Sequence, residues 1–324
     1  MEDQAEKLRE IMKQRSEESQ NSDTSQNPET AKAVKEKKED NGKPPLGADL
    51  PDKKGTKTRI ITVTSGKGGV GKTNFSVNMA LAYARLGKRV VVMDADLGLA
   101  NVNIMLNMVP RFNLYDMIRK GKTMKEIMVE TDYGISIVAG ALGISQIANL
   151  SEKERKKFIE ELNTLSFADI VIIDTAAGVS SNVLDFIAAA DDAVIVTTPE
   201  PTAITDAYGI IKIIATEYDN LDMKLKLVVN RVKNAIEAKK VGDKMTHIAG
   251  QFLNLKVDYL GFIYDDPVVS QAVLRQKPFM VIDPRSKASI CIQHIVGKME
   301  KGELQETGGF GNMFKRLFGK PQGS

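Results

Sequence analysis

Cysteine is almost missing from this chain: Cys291 is the single one in 324 residues. One thiol can form neither an internal disulfide nor a cysteine-rich metal site, so the expected compartment is reducing and cytoplasmic. An excess of charge is missing too. The 45 Lys and Arg against 42 Asp and Glu leave a formal net charge of +3. That is not the uniformly basic surface of a dedicated nucleic-acid binder, and no nucleic acid is expected as a partner. No apolar run is long enough to cross a bilayer. The opening stretch MEDQAEKLRE lacks the basic and apolar regions of a secretory signal. Membrane contact is therefore expected to be peripheral, and the chain shows no internal repeat.

What remains is the apolar content of a globular protein, 42%, unevenly distributed. Residues 1–15 predict a short helix, with Asp3 and Glu6 at capping-box spacing and Ala5, Leu8 and Met12 on one face. Residues 16–57 are rich in Lys, Glu, Asn, Ser, Gln and Pro, with few large apolar side chains. Such a segment cannot offset its own ordering entropy, so it reads as a disordered linker. From residue 58 to 301, short apolar runs alternate with helical patterns. The runs Arg59–Thr64, Arg89–Met93, Ile135–Val138, Ile170–Ile173, Ala193–Thr197, Leu225–Val229 and Tyr259–Ile263 read as strands, and Asn74–Leu86 and Glu152–Leu162 as helices, with Gly87 as a C-terminal cap. This pattern predicts an α/β fold: one domain with a mostly parallel sheet covered by helices on both faces. Residues 302–324 form a spacer followed by an apolar helical stripe, Phe310, Met313, Phe314, Leu317 and Phe318, with Lys315, Arg316 and Lys320 off it.

One motif carries specific chemistry. Gly66-Lys67-Gly68-Gly69-Val70-Gly71-Lys72-Thr73 fits G-x-x-x-x-G-K-[ST], between an apolar strand and a helix. The glycines let backbone amides close around phosphate oxygens, and the helix N-terminus adds partial positive charge. Lys72 is expected to reach the β- and γ-phosphates of ATP, and the Thr73 hydroxyl to ligate Mg²⁺. Asp174, ending the run Ile170–Ile173, has the Walker B arrangement for holding Mg²⁺ directly or through water.

The extra lysine, Lys67, makes the loop resemble the deviant Walker A motif of the MinD/ParA family of ATPases. The resemblance covers about three-quarters of the chain. It implies a slow ATPase that dimerises when ATP is bound, with Lys67 crossing to the partner's nucleotide as a trans-acting finger. It also implies that Asp94-Ala95-Asp96 is switch I, Asp96 positioning the attacking water and Asp94 ordering the Mg²⁺ shell. By the same resemblance Asn230-Arg231 and Asp265-Asp266-Pro267 approach the adenine, and Glu200 the partner's ribose. Relatives that bridge an iron–sulfur cluster need more than one cysteine per subunit, which this chain lacks. Cys291 is expected to be a buried apolar residue.

Both termini refine the resemblance. The C-terminal stripe is expected to lie on the inner face of the cell membrane, marginally as one copy and with avidity as two in the ATP dimer. The segment Asp3-Gln4-Ala5-Glu6-Lys7-Leu8-Arg9 resembles the N-terminus of the FlhG (YlxH) group of MinD-like ATPases. That implies regulation of flagellar number or placement, contact with flagellar C-ring proteins, and stimulation of the FlhF-type SRP GTPase. In that reading Gln4 reaches the GTPase site and Leu8 anchors the helix. A division-site ATPase of the MinD type and a DNA-partitioning ATPase of the ParA type are the alternatives.

Overall fold

In a computed structural model of the chain, residues 57–96, 101–140, 151–218, 223–301, 309–311 and 313 are described. The predicted helix at 1–15 (with Gln4 and Leu8), nearly all of the linker, and Phe314, Leu317 and Phe318 lie outside them.

Eight strands form one sheet: β1 (Arg59–Ser65), β2 (Val90–Ala95), β3 (Met128–Glu130), β4 (Ser136–Val138), β5 (Ile170–Ala177), β6 (Asp192–Thr197), β7 (Lys224–Val232) and β8 (Val257–Tyr264), in the order β3-β4-β2-β5-β1-β6-β7-β8. Every neighbouring pair is parallel except β3 with β4. The central strands are buried almost throughout because helices cover both faces, so they read in sequence as unbroken apolar runs. Each of the seven expected strands is present; three are one residue longer than expected, three are three or four residues longer, and β4 is one shorter. The added antiparallel strand β3 is three residues, two half-buried and one exposed, and the apolar run Ile127–Val129 is too short to announce it.

The helices include α1 (Lys72–Arg85), α2 (Asn101–Met105), α3 (Leu114–Lys120), α4 (Met124–Ile127), α5 (Glu152–Asn163), α6 (Ser181–Ala189), α7 (Pro201–Glu217), α8 (Ala235–Leu253), α9 (Pro267–Leu274), α10 (Phe279–Ile282) and α11 (Lys287–Lys301), and residues 309–311 and 313 are helical as well. Helix α1 is buried from Phe75 to Tyr83, which follows from its near-absence of charge between Lys72 and Arg85. It ends as predicted: Gly87 takes φ 76°, and its N–H donates to the Ala84 carbonyl at 2.9 Å.

Chain order decides where a ligand can sit. From β1 the chain passes to β2 and on to β5 on one side, then crosses to β6, β7 and β8 on the other. The crevice at the carboxyl ends of β1, β5 and β6 is a topological switch point, where open α/β sheets bind ligands. The 66–73 loop leaves β1 at that edge.

The two described residues of the C-terminal stripe depart from expectation. Phe310 and Met313 are not on a free membrane-facing helix. They are 5% and 4% exposed and belong to a core cluster with Ile60, Leu165, Ala168 and Phe186. Gly309 lies beside Lys57 and Thr58, at the amino end of β1. Burying large apolar side chains against this core is favourable, so the packed core includes Phe310 and Met313, which lie past residue 301.

Candidate nucleotide site

The phosphate loop is built around Gly71. Its φ of 97° lies in the left-handed region, and a Cβ there would sit 2.4 Å from the Asn230 Nδ2. Only glycine satisfies both conditions. Gly71 is also the N-cap of α1 and offers no side-chain cap. The first-turn amides of a long buried helix thus open towards the loop, the arrangement that receives an anion.

Lys72 begins α1 and is buried, 9% exposed. Burial lowers its pKa, while the nearby carboxylates of Asp174 and Asp96 raise it. Asp174 is the fifth of the eight residues of β5, at the end of its apolar run, and is 1% exposed. Its Oδ1 accepts from the Ser76 Oγ at 2.8 Å, and the Thr73 hydroxyl also donates to it. Burial still pushes its pKa up to about 6. Asp94 is the register partner of Asp174 on β2. Its carboxylate accepts the Asp96 N–H at 3.0 Å and the Val102 N–H at 3.1 Å. Burial, then the adjacent Asp174, push its pKa up to about 7. Asp94 thereby pins the start of α2 as well as facing the site. Asp96 is half-buried and accepts from the Asn101 Nδ2 at 3.2 Å.

This donor set fits Mg²⁺. The hydroxyl of Thr73 and the carboxylate of Asp174 are hard oxygen ligands. Two adjacent buried carboxyls held above their ordinary pKa are an arrangement that a nearby dication relieves.

Lys67 is engaged within its own subunit. Its Nζ donates to the Glu200 Oε2 at 2.9 Å and to the Thr202 Oγ1 at 2.7 Å, at the start of α7. The Lys67 hydrogen bond holds the Glu200 carboxyl below the usual glutamate range.

Beside the loop lies an open cavity of about 940 Å³, lined by Gly71, Asn74, Asn230, Arg231, Asp265 and Asp266 among others. Its apolar wall is Val269, Val273 and Leu274 from α9; Leu274 is 86% exposed. The expected base-side residues Asn230, Arg231 and Asp265 all reach this cavity, and so does Glu200. Pro267 does not line it: it is the first residue of α9, where a missing N–H costs nothing. Both ends of the Asn230 carboxamide are used inside the protein, Nδ2 donating to the Val70 carbonyl at 2.7 Å and Oδ1 accepting the Arg231 N–H at 2.9 Å. Asp266 accepts from the Val268 and Ala288 amides, each at 3.1 Å, and so caps α9 and α11 with one carboxylate.

Sequence reasoning missed Ser76, Thr202 and the α9 wall. Ser76 was within reach, since it lies three residues past Thr73 on the same helical face. Thr202 and the wall depend on which loops the sheet brings together. Cys291 is buried as expected.

A phosphate loop at the switch point, a Walker B carboxylate and an adjoining open cavity define a P-loop nucleotide-hydrolysing protein. Residues 61–279 match the CobQ/CobB/MinD/ParA nucleotide binding domain. The chain is 36% identical over 247 residues to the antiactivator FleN of Pseudomonas aeruginosa, covering 76% of this chain and 88% of that protein. It is 34% identical over 273 residues to the flagellum site-determining protein YlxH of Helicobacter pylori, covering 82% and 91%. Among solved structures, the MinC:MinD cell division protein complex of Aquifex aeolicus superposes with TM-score 0.62 at 26% identity, covering 76% of this chain and 98% of that one. The chain belongs to the MinD/ParA family of nucleotide-binding proteins.

Proposed function

We propose that this chain is a slow Mg²⁺·ATP-dependent ATPase that pairs with a second copy when ATP is bound and regulates the number or placement of flagella. The observation that carries it is one chain combining the Lys67-bearing phosphate loop with the Asp3–Arg9 segment, in a sequence similar to two proteins named for flagellar roles.

In this reading the loop amides and Lys72 hold the phosphates, and Thr73 and Asp174 hold Mg²⁺, with Asp94 behind them. The metal would supply neutralisation of phosphate charge. Asp96 orients the attacking water, and Lys67 leaves Glu200 to stabilise charge on the partner's transferring phosphoryl group. The base occupies the cavity beside Asn230, Arg231 and Asp265. Residues 1–15 stimulate an FlhF-type SRP GTPase, with Gln4 at its active site and Leu8 as anchor, and flagellar C-ring proteins are further partners. The ATP dimer binds the inner membrane face through Phe314, Leu317 and Phe318, and Phe310 and Met313 join them on leaving their groove.

A peptide of residues 1–19 added to a purified flagellar SRP-type GTPase tests this. Stimulation of GTP hydrolysis that disappears with Gln4→Ala supports the flagellar role. Absent stimulation moves the function to a division-site role, the second reading favoured by the MinD likeness.

A further inference from the structure

We infer that Asn230 is a positioning residue for the phosphate loop, a strut that holds the Val70–Gly71 turn in shape before any ligand arrives. The inference rests on reading this site as the nucleotide site, and it adds to Asn230 a task other than contact with a base.

Three observations carry it. The Asn230 Nδ2 donates to the Val70 carbonyl at 2.7 Å, across 160 residues of chain. Its Oδ1 accepts the N–H of Arg231 at 2.9 Å. That second bond fixes which way the amide is turned, since an oxygen must face Arg231, and the NH₂ is left to face the loop. Arg231 itself holds φ 56°, a conformation that costs a non-glycine residue free energy. The strained turn aims the amide, and β7, paired on both sides with β6 and β8, supplies the rigid base behind it. Finally, the loop is shaped to receive the amide: the space where a Gly71 side chain would begin is filled by Nδ2, 2.4 Å from that point.

The consequence is specific. Gly71 caps α1 with no side-chain help, so the orientation of the first-turn amides depends on where the Val70–Gly71 peptide is held. The Asn230 strut supplies that hold from outside the loop. A residue that only touched the base would influence binding of a nucleoside but not the shape of the empty loop.

The test compares the full-length chain with Asn230→Asp and Asn230→Ala. Asp keeps the acceptor that faces Arg231 and replaces the donor that faces Val70. Hydrogen exchange of nucleotide-free protein is followed by mass spectrometry over a peptide spanning Gly66–Thr73 and a control peptide spanning Ile170–Ala177. Loss of one net hydrogen bond predicts roughly tenfold faster exchange in the loop peptide and none in the control. A neutral aspartic acid can donate to the Val70 carbonyl and an ionised one cannot. The excess exchange of Asn230→Asp over wild type should therefore shrink at acid pH, whereas that of Asn230→Ala should not. In a second arm, Mg²⁺·tripolyphosphate, which has no base, should compete with a fluorescent ATP analogue roughly tenfold more weakly in the Asp variant at pH 8. Equal loop exchange in all three proteins, or acceleration spread over the whole domain, overturns the inference. Faster loop exchange in a protein whose wild type binds no ATP would sustain the strut and overturn the nucleotide reading instead.

Discussion

Asp94 and Asp174 face each other as register partners on adjacent parallel strands, both 1% exposed and both at the edge where the phosphate loop begins. Burial is the main cause that pushes both carboxyls up, Asp94 to about 7 and Asp174 to about 6, and a neighbouring carboxylate adds to each: Asp174 for Asp94, and Asp96 for Asp174.

That pairing predicts a proton coupling. A folded-state pKa above the unfolded value gives stability that is present at acid pH and lost as pH rises through the folded pKa. The nucleotide-free protein should therefore lose stability between about pH 4 and 7 on account of these two groups. Mg²⁺·ADP favours their ionised forms and should release protons. Calorimetric binding enthalpy should vary with the ionisation enthalpy of the buffer at pH 6.5 and cease to do so at pH 8.5. Buffer independence at pH 6.5 would refute the coupling.

The Lys67–Glu200 pair predicts a separation of binding from turnover. Both side chains are more than a third exposed, so the contact adds little to stability. Lys67→Ala should leave the melting temperature and ATP affinity nearly unchanged and lower ATP turnover by about 10³-fold. Glu200→Ala should not lower the melting temperature, and it should shift dimer formation, followed by light scattering, to lower ATP concentration by releasing Lys67.

Asp96 is half-buried and held by Asn101. Asp96→Ala should leave the fold intact, cut hydrolysis at least about 100-fold, and keep the ATP dimer from dissociating. A dimer that still decays at the wild-type rate would remove Asp96 from the role of positioning water.

The buried C-terminal residues predict a stability effect that a free tail would not show. Phe310→Ala should destabilise the domain by about 3 kcal/mol in urea denaturation, the scale of a buried aromatic removed from a core. Phe314→Glu with Leu317→Glu should abolish ATP-dependent sedimentation with liposomes. Sedimentation equal to wild type would contradict the membrane role.

Much of this site was readable before any fold was known, for a physical reason. A phosphate loop is local: eight consecutive residues fix its amides, its lysine and its hydroxyl. Asp94 and Asp174 were legible because a carboxylate ending an apolar strand must emerge at the sheet's carboxyl edge. What stayed hidden depends on distant segments meeting. The engagement of Asn230 with Val70 could not be seen at 160 residues' separation, and its resemblance to a base contact drew attention to the cavity only. The burial of Phe310 and Met313 was hidden similarly, because a stripe that suits a bilayer suits a protein groove equally well. The short strand β3 overlaps an apolar run of only three residues, Ile127–Val129, too short to mark it.

Strand β1 has the phosphate loop at one end and the Phe310 segment at the other. Seven residues of strand span about 23 Å, more than twice the Debye length in physiological salt. A γ-phosphate in the loop can neither touch Phe310 and Met313 nor act on them appreciably through charge. If nucleotide state governs release of that segment, the signal has to be mechanical, passing as a small change in twist or register through the strands, or it has to come from a second subunit covering or uncovering the groove. The tail would then report the state of the assembly and not the mere presence of ATP.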